Sequence, residues 1–124
     1  MASLRSVEVL FSNELVIDAR IFIVNIDPHS KWTANMEAVK DDVIRPQQTR
    51  SWGVECDNPY GQMAHLSLVC GSLGVMMIGM KLPENGVATC TAVPDSIGLQ
   101  GYVQPVAGQP PDRAKFVVQL LRKL

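Results

Sequence analysis

The chain has 124 residues, of which 47% are hydrophobic and 19% are charged, and its formal net charge is −1 at pH 7. A chain of this length and composition fits one domain, residues 1–124, with enough apolar side chains for a core. The near-zero net charge excludes a global attraction to nucleic acid or to an anionic membrane. No nucleic-acid partner is therefore predicted.

The first third of the chain alternates in the manner of half-buried strands. Val7, Val9 and Phe11 alternate with polar residues, which predicts a first strand. Residues 15–26 form a second extended segment, since β-branched residues are dense there. One predicted face of this segment consists of Ile17, Ala19, Ile21 and Ile23.

The middle of the chain gives one ambiguous segment and one clear strand. Residues 33–40 fit either a short helix capped by Thr33 or a twisted edge strand. Residues 49–56 alternate cleanly and predict a strand. One face of that strand carries Arg50, Trp52, Val54 and Cys56.

The longest apolar run, residues 66–82, carries no charge before Lys81. Its first 15 residues, 66–80, are too few for a membrane-spanning helix, which needs roughly 20. The turn-forming residues 71–74 predict two buried strands joined as a hairpin, while a buried helix remains the alternative. In a strand, Met76 and Met77 point to opposite faces.

The last third combines a short strand, a loop-rich region and an ambiguous terminus. Residues 87–93 alternate as a strand, and glycines and prolines make the region around 98–108 loop-rich. From 112 to 124, apolar residues recur at helical spacing, and Asp112 is placed to cap a helix. A final strand over 116–121 is the alternative, but the helix is favoured.

Together these elements predict a mostly β fold. Short strands separated by turns about ten residues apart are typical of a single-domain antiparallel β-sandwich or barrel. A short C-terminal helix is the predicted departure from that pattern. No signal peptide or transmembrane helix is predicted, which indicates a cytoplasmic or leaderless secreted protein.

The reactive side chains give no catalytic or metal signature. Cys56, Cys70 and Cys90 are odd in number and lack paired spacing, so free buried thiols are predicted, with no disulfide, metal or cofactor. Glu55 and Asp57 share a strand face, but no third group accompanies them. No catalytic residue is therefore assigned, and a cysteine- or carboxylate-dependent enzyme is the third-ranked hypothesis.

Four aromatic residues fall near predicted loops or strand ends and are the candidate ligand-binding residues. Aromatic side chains in such places contact lipid headgroups, sugars or partner proteins. Packing in the core is the alternative, and for Trp52 it is favoured. The four candidates are Trp32, Trp52, Tyr60 and Tyr102.

Three segments together resemble the aegerolysin-type small β-sandwich proteins. They are SVEVLFSN at 6–13, VIRPQQTRSWGVE at 43–55 and LSLV at 66–69. The chain departs from that family at Trp52-Gly53-Val54, where the family has Cys-Gly-Arg, and in lacking tryptophan-rich later loops. The resemblance implies recognition of membrane lipids, and it carries over no site residue.

The leading hypothesis is a non-enzymatic recognition module for a lipid or glycan surface. The second is a self-assembling subunit, because a chain with few charges leaves apolar surface for a homo-oligomer or a protein partner to cover.

Overall fold

The computed structural model describes residues 5–56, 61–82, 87–110 and 113–123, with the backbone alone for 61–63. They form ten strands in two five-stranded sheets that face each other as a β-sandwich. The strands are β1 Arg5–Asn13, β2 Ala19–Ile26, β3 Lys31–Trp32, β4 Val43–Ile44, β5 Thr49–Cys56, β6 Gly61–Val69, β7 Val75–Leu82, β8 Thr89–Pro94, β9 Leu99–Pro105 and β10 Arg113–Arg122. The predicted mostly β fold is confirmed.

Sheet A has the strand order β3-β5-β1-β10-β9, and sheet B has the order β4-β2-β6-β7-β8. In the described chain every pairing is antiparallel except that of β1 with β10, which is parallel. The core lies between the sheets and takes alternate side chains from both. Each strand thus buries one face, as its alternating sequence requires.

The predicted C-terminal helix is wrong. The segment is strand β10, whose Phe116, Val118 and Leu120 are buried and alternate with less buried neighbours. It lies between β1 and β9 and forms hydrogen-bonded ladders with both. The apolar residues of this segment fit both the spacing of a helix and the alternation of a strand. The segment forms a strand because its backbone pairs with β1 on one side and β9 on the other. Asp112 lies outside the described residues.

Three further predictions fail locally. The region around 98–108 was predicted to be loop-rich, but strand β9, Leu99–Pro105, occupies most of it because it pairs with β10. Residues 33–40 form turns, neither helix nor strand, with Asn35 in the left-handed region at φ 65°. In β2, Phe22 is an extra residue relative to β6, so Ile21 faces Leu68 but Ile23 faces Ser67. This bulge reverses the alternation, and Ile23 is exposed on the outer face instead of sharing a face with the buried Ile21 as predicted.

The hairpin prediction for the long apolar run is confirmed. β6 and β7 pair antiparallel, and a 3-10 turn over Gly71–Leu73 joins them. Gly74 follows that turn at φ 120°, a conformation that favours glycine. Met76 is fully buried and Met77 is exposed, as expected for opposite faces of a strand. Sheet A covers the inner face of this hairpin.

The two sheets approach closely where β8 meets β9. A methyl group added to Gly101 would lie 2.6 Å from the Cβ atom of Ala92 on β8. A side chain at this position would therefore push the strands apart, since real Cβ contacts are longer. The absence of a side chain at Gly101 therefore allows β8 and β9 to approach closely.

Candidate functional site

One end of the sandwich contains a groove of about 570 Å³ beside the β9–β10 connection. Pro105 and Pro110 border that connection, and Gly108 within it has φ 82°. Two backbone hydrogen bonds, from Val106 N to Lys115 O at 2.9 Å and from Arg113 N to Pro110 O at 3.0 Å, hold the connection against β10. These hydrogen bonds to β10 fix the position of the connection, which forms one wall of the groove.

The lining of the groove combines apolar and cationic side chains. Phe116 and Ala88 are each about nine-tenths buried and contribute apolar surface. Three cations, Arg5, Arg113 and Lys115, also line it. The groove therefore offers an apolar surface next to concentrated positive charge.

Arg113 also lines a second, adjoining pocket of about 200 Å³, which Glu8 and Glu55 line from the other side. Within the described chain these carboxylates have other cationic partners. Lys115 Nζ lies 3.7 Å from Glu8 Oε1, and Lys31 Nζ lies 3.5 Å from Glu55 Oε1. No hydrogen bond or ion pair joins the Arg113 side chain to a described residue, so its guanidinium is available to an anion.

None of the three aromatic candidates within the described residues lines this groove. Trp52 is 1% exposed and stacks on Phe11 with ring centroids 5.0 Å apart. Trp52 therefore packs in the core, which is the role that the sequence favoured for it. Trp32 is half-buried against the core on β3, and Tyr102 is 49% exposed on β9. Tyr60 lies outside the described residues.

The sequence interpretation missed the groove cations because it placed this segment on a helix. A strand puts Arg113 and Lys115 on the same face, two residues apart, whereas a helix separates them. The parallel register then places Arg113 opposite Ser6 and Lys115 opposite Glu8. The loop-forming prolines and glycine at 105–110 were the available signal for a cleft.

The three cysteines are free and buried, as the sequence predicts. Burial, together with the negative charge of Asp95, raises the pKa of Cys70 to about 11. Burial raises the pKa of Cys90 to about 12. The Cys56 thiol donates a hydrogen bond to the His29 carbonyl at 3.0 Å. Thiols with raised pKa values are poor nucleophiles at neutral pH.

We expect iodoacetamide at pH 8 to leave Cys70 and Cys90 of the folded protein unlabelled, and urea to expose all three cysteines to labelling. Because the folded state raises the pKa of both thiols above the ordinary 9.0, it holds their protons more tightly than the unfolded state does. Stability from this source is complete below pH 9 and falls as the pH rises through 11. Mass spectrometry of labelled peptides measures the labelling. Urea titrations at pH 8 and at about pH 11 measure the change in stability. Rapid labelling of folded Cys70 at pH 8 would contradict the expectation.

Glu55 and His65 each have a polar partner within the described residues. Glu55 Oε2 accepts a hydrogen bond from Thr33 Oγ1 at 3.3 Å, and its predicted companion Asp57 lies outside the described residues. The His65 ring nitrogen Nε2 lies 2.9 Å from Asn25 Nδ2. Across the described ranges, no three metal-ligating side chains cluster, and no helix has the length and apolar character needed to cross a membrane.

The fold is a small β-sandwich that is also found in other proteins. The chain is similar to the crystal structure of IP-1A from Alcaligenes faecalis, with a TM-score of 0.71 and 9% identity over 99% of this chain and 94% of that one. It is also similar to RahU protein, solved in complex with a TRIS molecule, with a TM-score of 0.69 and 12% identity over 97% and 96% of the two chains. Neither a family model nor a curated protein matches the sequence. These likenesses establish the fold alone, and the aegerolysin-type resemblance stays a prediction.

Proposed function

We propose that this protein is a non-enzymatic recognition module that binds anionic lipid at a membrane surface through the groove beside the β9–β10 connection. The observation that carries the proposal is the set of three cations, Arg5, Arg113 and Lys115, around a partly apolar groove. The net charge of the chain is −1, so this positive cluster is local and not a consequence of overall composition.

Arg113 is the cation best suited to hold the anionic group. A guanidinium donates two parallel hydrogen bonds to a phosphate, and the resulting pair is stronger than one between neutral groups. Lys115 Nζ lies 3.7 Å from Glu8 Oε1. This distance is too long for a strong hydrogen bond, so a phosphate can compete with Glu8 for the ammonium group. Arg113 therefore makes the principal contact and Lys115 adds to the field.

The size and apolar part of the groove fit the region where a lipid headgroup meets its acyl chains. Ligand sites commonly enclose about 300–1,000 Å³, and the groove has about 570 Å³. Phe116 and Ala88 offer apolar contact to the first methylene groups, while the cations remain at the level of the phosphates. A whole lipid does not fit, so its chains stay in the bilayer.

A glycan is the second ligand class, and Tyr102 is the observation that favours it. Its ring is 49% exposed on the outer face of sheet A, where Gln100 and Gln104 flank it two residues away on the same strand. An aromatic face beside amide groups suits a sugar ring. This site is separate from the groove, so the two ligand classes are distinguished by different variants.

Vesicle co-sedimentation tests the lipid proposal. We expect the native protein to bind phosphatidylcholine vesicles that contain about one-fifth phosphatidylserine and to bind pure phosphatidylcholine weakly, with affinity falling as salt rises. Arg113→Glu removes one cation and adds an anion, a change of two charge units, so binding should fall roughly thirtyfold, at about 1 kcal/mol for each unit of charge.

The matched control is Arg122→Glu, which makes the same change on an exposed residue at the other end of β10. We expect it to leave vesicle binding nearly unchanged. Equal losses in both variants, or no vesicle binding by the native protein at low salt, would refute the groove as a lipid site. Glycan-array binding that Tyr102→Ala abolishes and Arg113→Glu spares would favour the second ligand class.

A further inference from the structure

The outer face of sheet B carries a row of residues in which three of the four side chains are apolar and exposed within the described part of the chain. The row crosses four strands and consists of Ile23, Ser67, Met77 and Val93, each directly opposite the next. Ile23, Met77 and Val93 are 40%, 44% and 50% exposed. Exposed apolar side chains that lie side by side on one face of a sheet are typical of an association surface.

The row is complementary to itself when reversed. Ser67 is small and only 6% exposed, so it forms a low point between the larger Ile23 and Met77. A two-fold axis parallel to the strands and between β6 and β7 reverses the order of the strands in a second copy. Met77 of each copy then lies over Ser67 of the other, and Ile23 lies over Val93.

The same axis brings opposite charges together in the next row. That row places Arg20 on β2 and continues through Val69 and Val75 to Asp95, whose carboxylate accepts a hydrogen bond from Val75 N at 2.8 Å. Reversal puts Arg20 over Asp95 and Val69 over Val75. Arg20 also pairs with Asp41 at 2.9 Å, so the corner of the face carries both signs of charge.

The row on the other side contains no charge conflict. It runs through Asn25, His65, Gly79 and Thr91. Reversal places the His65 ring over Gly79, where no side chain stands in its way, and Asn25 over Thr91. Size, charge and polarity are thus complementary in three successive rows under one symmetry operation.

We propose that the outer face of sheet B, defined by these three rows, pairs with the same face of a second copy of this chain to form a two-fold symmetric dimer. The four strands that overlap under this axis, spaced by about 4.8 Å, and three rows of residues give a face of roughly 19 by 20 Å. Two such faces bury on the order of 800 Å², which is the size of a weak, transient interface. The dimer is therefore in reversible equilibrium with the monomer.

Disulfide trapping tests this arrangement. Ile23 and Val93 are three strand spacings apart within one chain, about 14 Å, which is too far for an intramolecular bond, since bonded cysteines have Cα atoms within about 7 Å. We expect the double variant Ile23→Cys/Val93→Cys to form a covalent dimer under mild oxidation. Each single variant should stay unlinked, because the axis does not bring a position over itself.

The native cysteines are buried and do not compete in this experiment. Cross-linking of either single variant as fast as the double variant would overturn the proposed axis. Absence of a covalent dimer from the double variant, with native far-UV circular dichroism retained, would overturn the interface itself.

Sedimentation velocity over about 1–200 μM supplies the second measurement, since small interfaces give micromolar dissociation constants. The native protein should shift from monomer to dimer over this range, and Met77→Lys, at the centre of the face, should remain monomeric. Ile97→Lys is the control, because Ile97 is 90% exposed but lies in the β8–β9 loop outside the face. A native protein that stays monomeric over the whole concentration range would overturn the dimer. That conclusion would hold even if the Met77→Lys variant lost vesicle binding, since the face would then contact the membrane instead of a second copy.

Discussion

The substitution Trp52→Ala is expected to lower the free energy of unfolding by about 3–5 kcal/mol, the usual loss when a buried large aromatic is truncated. Trp52 is 1% exposed, lies on β5 opposite Val9 of β1, and stacks on Phe11 with an angle of 28° between the rings. Alanine would lose this contact and leave a cavity between the sheets. Because small domains are stable by only about 5–15 kcal/mol, the loss is a large part of the total.

Urea denaturation followed by far-UV circular dichroism measures this effect without relying on the fluorescence of the removed indole. Tyr102→Ala is the matched control, because Tyr102 is half exposed and its truncation should cost less than about 1 kcal/mol. Trp52→Phe keeps an aromatic ring against Phe11 and should recover part of the loss. Equal stability of the Trp52→Ala and Tyr102→Ala variants would contradict the packing described for Trp52.

The second large effect is expected at Asn13, a fully buried polar residue at the end of β1. Its Nδ2 donates to the carbonyls of Ile17 at 3.0 Å and Ile44 at 2.8 Å, and its Oδ1 accepts from Leu15 N at 3.0 Å. The side chain thus joins β1, the β1–β2 connection and β4. Asn13→Ala should cost roughly 3 kcal/mol, since a buried polar group left without a partner costs about 1–3 kcal/mol.

Asn13→Asp keeps the shape of the side chain and makes the loss depend on pH. The carboxylate would place an oxygen against two carbonyl oxygens, so the folded state favours the protonated acid and raises the pKa of Asp at this position. The folded state then binds the proton more tightly than the unfolded state. Its stability is highest below the ordinary Asp pKa of about 4 and falls as the pH rises through the raised value.

Thermal unfolding of the Asn13→Asp variant and the native protein at pH 3.5 and pH 7, values on either side of an ordinary Asp pKa of about 4, measures this dependence. The difference in Tm between the two proteins should widen at the higher pH. Asn35→Asp is the control, because Asn35 is exposed at φ 65° and aspartate tolerates that conformation. A constant difference between the two pH values at Asn13 would contradict the hydrogen bonds assigned to its amide.

Local alternation was sufficient to predict the strands whose partners are close in sequence or whose faces are cleanly divided. β1, β5 and the β6–β7 hairpin follow directly from period-two patterns and glycine turns. The orientation of Ile23 did not follow, because the bulge at Phe22 depends on pairing with β6 and leaves no mark in the alternation itself. Alternation of apolar and polar residues predicts which face a side chain lies on only where the strand pairs with its neighbour without a bulge.

The candidate groove was less predictable than the strands for a related reason. Its lining comes from Arg5, Ala88 and residues of the ranges 105–110 and 113–116, which meet only when the two sheets have formed. The sequence shows the proline- and glycine-rich connection but not which cations lie beside it. The uncertainty over β10 removed that information, since helix and strand arrange Arg113 and Lys115 differently.

The parallel ladder between β1 and β10 also bears on how the protein is made. Ser6 pairs with Arg113, more than a hundred positions later in the chain, and β10 separates β1 from β9 in the middle of sheet A. Contacts of such high sequence separation slow folding, because loop-closure entropy is lost before the contacts form. At about 5–20 residues per second, a ribosome exposes β1 for several seconds before its partner exists. Throughout that interval the edge of β1 that later pairs with β10 has no partner, and unpaired strand edges make incompletely folded chains prone to aggregation.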